Sequence, residues 1–93
     1  MREKVIERKL VSAVAKAGWL ALKLISPGFN GVPDRLLLFY GGRVAFCEVK
    51  APGEKPRPLQ VCRIQQLREM GFRVYVVDSE EKIGEMIHEI CSA

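Results

Sequence analysis

Gly31-Val32-Pro33-Asp34-Arg35-Leu36-Leu37-Leu38-Phe39-Tyr40-Gly41-Gly42-Arg43-Val44-Ala45-Phe46-Cys47-Glu48-Val49-Lys50 is the stretch that decides the fold. Two apolar runs, 34–40 and 43–50, flank Gly41-Gly42, and a two-residue Gly-Gly connection predicts a tight antiparallel hairpin. Both runs are apolar on both faces, which predicts a sheet covered on each side. The hairpin also predicts that its two ends, Asp34 and Glu48, come to the same end of the sheet.

Upstream, residues 3–17 carry Ile6, Leu10, Ala13, Val14 and Ala17 at helical spacing, with Gly18 as the stop. Residues 19–25 form a short apolar run bounded by Gly18 and Ser26-Pro27-Gly28, the pattern of a strand. Residues 26–33 are rich in turn formers and read as a loop. Downstream, 51–58 holds three prolines and a glycine and reads as a second loop. Residues 59–70 read as a helix that turns Val61, Ile64 and Leu67 to one face, with Pro58 at its first turn and Gly71 as the stop. Residues 72–77 read as a fourth strand and 79–91 as a last helix, capped by Ser79 and facing inward with Ile83, Ile87 and Ile90. The order is α-β-β-β-α-β-α in one α/β domain over 1–93.

The chain is long enough for one domain and not two. No apolar run approaches the roughly 18 residues of a membrane span, and the charged start Met1-Arg2-Glu3-Lys4 is unlike a signal peptide. Three cysteines without a CxxC pair, and a single histidine, predict free thiols in a cytoplasmic protein rather than a disulfide or zinc framework. Charge is divided along the chain. Residues 1–77 hold 14 Lys or Arg against 6 Asp or Glu, whereas 78–93 hold 1 against 5. A basic body with an acidic last helix suggests a polyanion partner on one face.

Four polar features sit where apolar ones belong. Glu48 and Lys50 extend the stripe of Val44 and Phe46 on one strand face, where charge is costly unless paired or bound to a metal. The plain alternative is a strand end emerging into water with a local ion pair. Asp34 opens the partner strand behind the stiff Val32-Pro33 step. It is either a turn residue or the second of two carboxylates that need a cation between them. A hard divalent ion with oxygen ligands, magnesium beside phosphates, fits such a pair. Glu7 lies between Val11 and Val14 on the inward stripe of the first helix, where it could serve a second ion or pair with a lysine at the rim. Gln60 lies between Ile64 and Leu67, where it could orient a water or an acidic ligand, or bond to loop backbone as a first-turn residue.

Gly31-Val32-Pro33-Asp34, then Glu48-Val49-Lys50, then Pro58-Leu59-Gln60, in this order of elements, resembles the VRR-NUC family of the PD-(D/E)XK nuclease superfamily. The resemblance covers the chain from Glu7 to the last helix. It implies a restriction-endonuclease-like α/β fold with a mixed sheet of about four strands flanked by helices. It implies magnesium, with manganese as an alternative, held by Asp34, Glu48 and the Val49 carbonyl. It also implies a water-positioning Lys50, with supporting roles for Glu7 and Gln60. Arg57 departs from the pattern, because a small hydroxyl residue often precedes the helix proline in this family.

The expected activity is magnesium-dependent hydrolysis of phosphodiester bonds by a structure-selective DNA endonuclease. The favoured form is a homodimer acting on four-way junctions, since a two-fold dimer places two sites on opposing strands. A flap- or nick-type nuclease and a non-catalytic DNA-binding module of the same fold are the rivals. Arg2, Arg8, Lys9, Lys55 and Arg57 are the expected phosphate contacts. The partner is expected to be branched or junction DNA, with no membrane and no organic cofactor. The expected location is the cytoplasm of a bacterial or phage-infected cell, associated with the nucleoid through DNA.

Overall fold

The computed structural model describes residues 2–92. The elements run α1 (Glu3–Lys16), β1 (Leu20–Lys23), β2 (Arg35–Phe39), β3 (Arg43–Val49), α2 (Pro58–Glu69), β4 (Arg73–Val77) and α3 (Glu80–Ser92). This is the expected α-β-β-β-α-β-α order, with β1 cut to its central four residues. The sheet order is β1-β2-β3-β4. The first two pairings are antiparallel and the β3–β4 pairing is parallel, so the sheet is mixed.

Side chains alternate across the strands, and each face has its own cover. Leu37 and Phe39 of β2, Ala45, Cys47 and Val49 of β3, and Val77 of β4 pack against Ile6, Leu10 and Val14 of α1 and Ile83, Met86 and Ile90 of α3. Each such large side chain stabilises the fold by roughly 1.5–3 kcal/mol. α1 and α2 both end as the sequence predicts, at Gly18 and Gly71. Trp19 N–H donates to Val14 O at 3.1 Å and Gly18 N–H to Ala15 O at 3.0 Å, and Phe72 and Gly71 repeat the pattern on α2. The glycines hold φ of +85° and +95°, which this paired closure demands. Ser79 Oγ accepts the Lys82 N–H at 3.2 Å, as its capping role predicts.

Three expectations are corrected. The hairpin connection is Tyr40-Gly41-Gly42, because Phe39 pairs with Arg43 and leaves three residues between the strands. The second sheet face is covered only in part. α2 lies over β3 and β4, with Phe46 meeting Phe72 edge-on at 5.6 Å, while Leu20 and Leu22 of β1 stay 58% and 43% exposed. Val61 is exposed, because α2 turns Gln60 and Ile64 to the sheet and rotates Val61 away from it.

Candidate active site

The site sits where β2 begins and β3 ends, on the face that α2 covers. Glu48 and Lys50 both point there, two residues apart, and the register Arg35↔Cys47 brings Asp34 beside them. Asp34 is fixed by its own strand pair. Its Oδ2 accepts the Val49 N–H at 2.9 Å, and its carbonyl accepts the Leu24 N–H at 2.9 Å. The buried Pro33 stiffens the approach.

Glu48 is 1% exposed and is the most deeply buried charged group of the site. Its Oε2 accepts a hydrogen bond from Gln60 Nε2 at 2.6 Å and lies 3.3 Å from Lys50 Nζ. Its Oε1 is buried without a hydrogen-bond partner. Burial first, and then the Asp34 carboxylate, push the Glu48 carboxyl up to about 7, against the opposing pull of Lys50. An orphaned carboxylate oxygen buried in protein is a costly arrangement unless a cation completes it.

That arrangement fits a magnesium ion. Magnesium takes oxygen ligands, keeps several waters and needs only one or two protein carboxylates. Among the described residues no three His, Cys, Asp or Glu side chains gather as a ready-made metal cluster, so the acids here are a pair. Asp34, Glu48 and the Val49 carbonyl are the residues that would hold the ion.

Gln60 joins both roles the sequence leaves open for it. Its Oε1 accepts the Arg57 N–H at 2.9 Å, half of a capping box at the start of α2. With the oxygen so committed, the amide nitrogen must face Glu48. This capping also makes good the departure at Arg57, whose side chain has no acceptor to offer. Gly31 sets the distance between loop and helix. Its φ is +86°, and a Cβ there would lie 2.8 Å from Leu59 Cγ and 3.1 Å from Leu59 O. Only glycine lets the Gly31–Asp34 loop lie this close to α2.

Glu7 does not point at the acid pair. Its Oε2 accepts from Arg35 Nη2 at 2.9 Å and from Arg35 Nε at 3.1 Å. The expected partner at the rim is therefore an arginine rather than a lysine, on the face opposite Glu48. Glu3, one turn earlier on α1, is the acid that senses the site. Desolvation, and then the Asp34 carboxylate, raise its carboxyl, with Lys50 opposing. The signal for it in the sequence is its place four residues before Glu7, on the same stripe of α1. Of the expected phosphate contacts, Arg2, Arg8, Lys55 and Arg57 are exposed. Lys9 is half-buried, and its ammonium lies 2.8 Å from Glu80, an ion pair that ties α1 to α3.

No family model matches the chain. A curated relative named "Putative nuclease p44", of Acyrthosiphon pisum secondary endosymbiont phage 1, is 48% identical over 81 residues, covering 87% of this chain and 87% of that protein. A solved structure described as "VRR_NUC domain" is similar with a TM-score of 0.87 and 29% identity, covering 92% of this chain and 94% of that one. With these similarities over most of both chains, the chain belongs to the VRR-NUC family of nuclease domains.

Proposed function

We propose that the protein is a magnesium-dependent, structure-selective DNA endonuclease that hydrolyses phosphodiester bonds, with four-way junctions as its substrate and a homodimer as its working form. The observation that carries the reading is the buried, partnerless Oε1 of Glu48 beside Asp34. When bound, a magnesium ion supplies Lewis acidity toward a phosphoryl oxygen and toward water.

The chain's own residues do the rest. Gln60 fixes the Glu48 carboxylate in one orientation, and the Val49 N–H fixes that of Asp34. Lys50 is 8% exposed, so its ammonium is held close to Glu48 and available to orient a water and to offset charge gathering on the phosphate. Exposed Arg2, Arg8, Lys55 and Arg57 supply a grip on the DNA backbone. Exposed Leu20 and Leu22 offer apolar surface to a second copy.

A substrate panel of linear duplex, flap, fork and four-way junction, incubated with magnesium, tests the reading. Wild type cuts the junction and Asp34→Ala does not. Equal cleavage by both proteins would overturn the metal site. Preferential cutting of the flap would replace the junction with the flap as substrate. Sedimentation alongside reads the dimer.

A further inference from the structure

Beyond the acid pair, the loop that leads to Asp34 carries an exposed aromatic ring. Phe29 is 46% exposed, and the Arg63 guanidinium lies 3.8 Å from its ring centroid. Arg63 is not a free side chain resting there by chance. Its Nε donates to Asn30 O at 2.9 Å and its Nη1 to Gln66 Oε1 at 3.3 Å. The Gly31 approach to Leu59 and Arg63 holds this loop against α2. The ring and the guanidinium are therefore a fixed pair of flat, stacked groups.

The pair borders a hollow of about 230 Å³, lined further by Val32, Gln66, Leu67 and Met70. Sites for larger organic ligands run from about 300 Å³ upward, so this one suits a single planar ring system. Its floor is apolar, and its edge carries an amide. Gln66 Oε1 is committed to Arg63, which leaves Gln66 Nε2 to donate toward a carbonyl or ring nitrogen. An apolar floor, a flat stacking surface and an amide at the rim are the features that hold a nucleobase.

A second hollow of about 520 Å³, walled by Asn30, Gly31, Arg57, Pro58, Leu59 and Gln60, lies on the other side of the Gly31 contact. Gln60, the residue that donates to Glu48, stands on its wall beside Arg57. Phe29 and Asp34 are five positions apart in the chain, a span of at most about 18 Å. That is on the order of five stacked nucleotides.

We infer that the hollow beside Phe29 receives one unpaired base of the DNA strand, stacked on the Phe29–Arg63 pair within a few nucleotides of the phosphate that is cut. The inference rests on the nuclease reading and adds to it a reason for structure selectivity. A base held in a continuous duplex is stacked on its neighbours and cannot enter, whereas the unpaired base of a flap or fork can, and so can a base of a four-way junction once its pair at the branch point has opened. Stacking does not read sequence, so the preference is for unpairedness.

The test uses forked oligonucleotides with 2-aminopurine at each of the first five positions of the unpaired arm. The protein carries Asp34→Asn, which keeps the acceptor for the Val49 N–H. Its fluorescence is expected to be quenched at one position on binding, and a fully paired duplex shows no such response. Phe29→Leu, which keeps apolar bulk, loses the quenching and weakens fork binding roughly 5- to 150-fold. Phe29→Trp retains both. No quenching at any position, or equal fork affinity for Phe29→Leu and its parent, overturns the inference. Cleavage is read separately with Asp34 intact. Asp34-dependent cutting without quenching sinks the platform and spares the nuclease. Quenching that depends on Phe29 in a protein that cuts nothing sinks the nuclease and spares the platform.

Discussion

The Gln60 side chain bridges the Arg57 N–H at 2.9 Å and Glu48 Oε2 at 2.6 Å, so one amide both starts a helix and holds a buried acid. Removing it strands a buried acceptor, which costs about 1–3 kcal/mol. Gln60→Ala is therefore expected to lower Tm by several degrees and to slow cleavage. Gln60→Glu is expected to do worse than Gln60→Ala at pH 8, because it sets a third acid against Glu48. Thermal melts and single-turnover cleavage check both.

Glu48 predicts a pH dependence of stability with a definite sign. Its folded pKa of about 7 lies above the ordinary carboxylate value, so the native state binds the extra proton between the two. Metal-free stability from this group is greatest below about pH 4.5 and falls as pH rises toward 7. Glu48→Gln removes that slope. Relative to wild type, the metal-free variant should gain on the order of 2–3 kcal/mol between pH 5 and pH 8. Magnesium should raise the Tm of wild type at pH 8 and leave Glu48→Gln unmoved. The variant should also cut nothing. Calorimetry at several pH values, with EDTA or magnesium, reads the first two outcomes without reference to activity.

Gly31→Ala combines an unfavourable φ with a Cβ only 2.8 Å from Leu59 Cγ. The expected cost is about 1–3 kcal/mol, seen as a lower urea midpoint with unchanged slope. Because the loop carries Asp34, cleavage should fall further than stability alone accounts for. Leu59→Ala in the Gly31→Ala background should recover part of both.

Glu7 and Arg35 form a half-buried ion pair on the face opposite Glu48. Glu7→Gln is expected to cost about 1 kcal/mol and to slow cleavage less than tenfold, whereas Asp34→Ala abolishes it. A double-mutant cycle with Arg35→Gln should return a coupling energy of similar size. A loss of cleavage equal to that of Asp34→Ala would restore Glu7 to the reacting centre.

DNA affinity should fall linearly on a log–log plot against salt, with a slope set by the number of phosphates contacted. Arg57→Ala should reduce that slope by about 1. Lys9→Ala should leave it unchanged, because its ammonium is already paired with Glu80. Filter binding over a salt series separates the two.

The architecture was legible in the sequence wherever one local rule acted alone. The hairpin from Asp34 to Glu48, the helix stops at Gly18 and Gly71 and the Ser79 cap all follow from residue type and spacing. So does the placement of Glu48 and Lys50 on one strand face. The misreadings arose where two elements had to meet. Val61 belongs to an apolar pattern that α2 satisfies with Gln60 and Ile64 instead. Arg35 meets Glu7 because its neighbour Asp34 points to the α2 face and alternation sends Arg35 to the other, a relation that appears only once α1 is placed on that face. The tie between Lys9 and Glu80, and the stack of Arg63 on Phe29, join residues far apart in sequence and have no local sign.

The mixed pairing of the sheet has a consequence for how the molecule comes into being. β2 and β3 are joined by a short connection and can zip together within microseconds, whereas β3 and β4 lie parallel and can pair only after α2 has crossed over between them. The two acids are thus brought face to face early, while the amide and the covering helix arrive late. During synthesis the repelling carboxylates stand in water, where their mutual cost is small, and they are sealed from it only once α2 has docked.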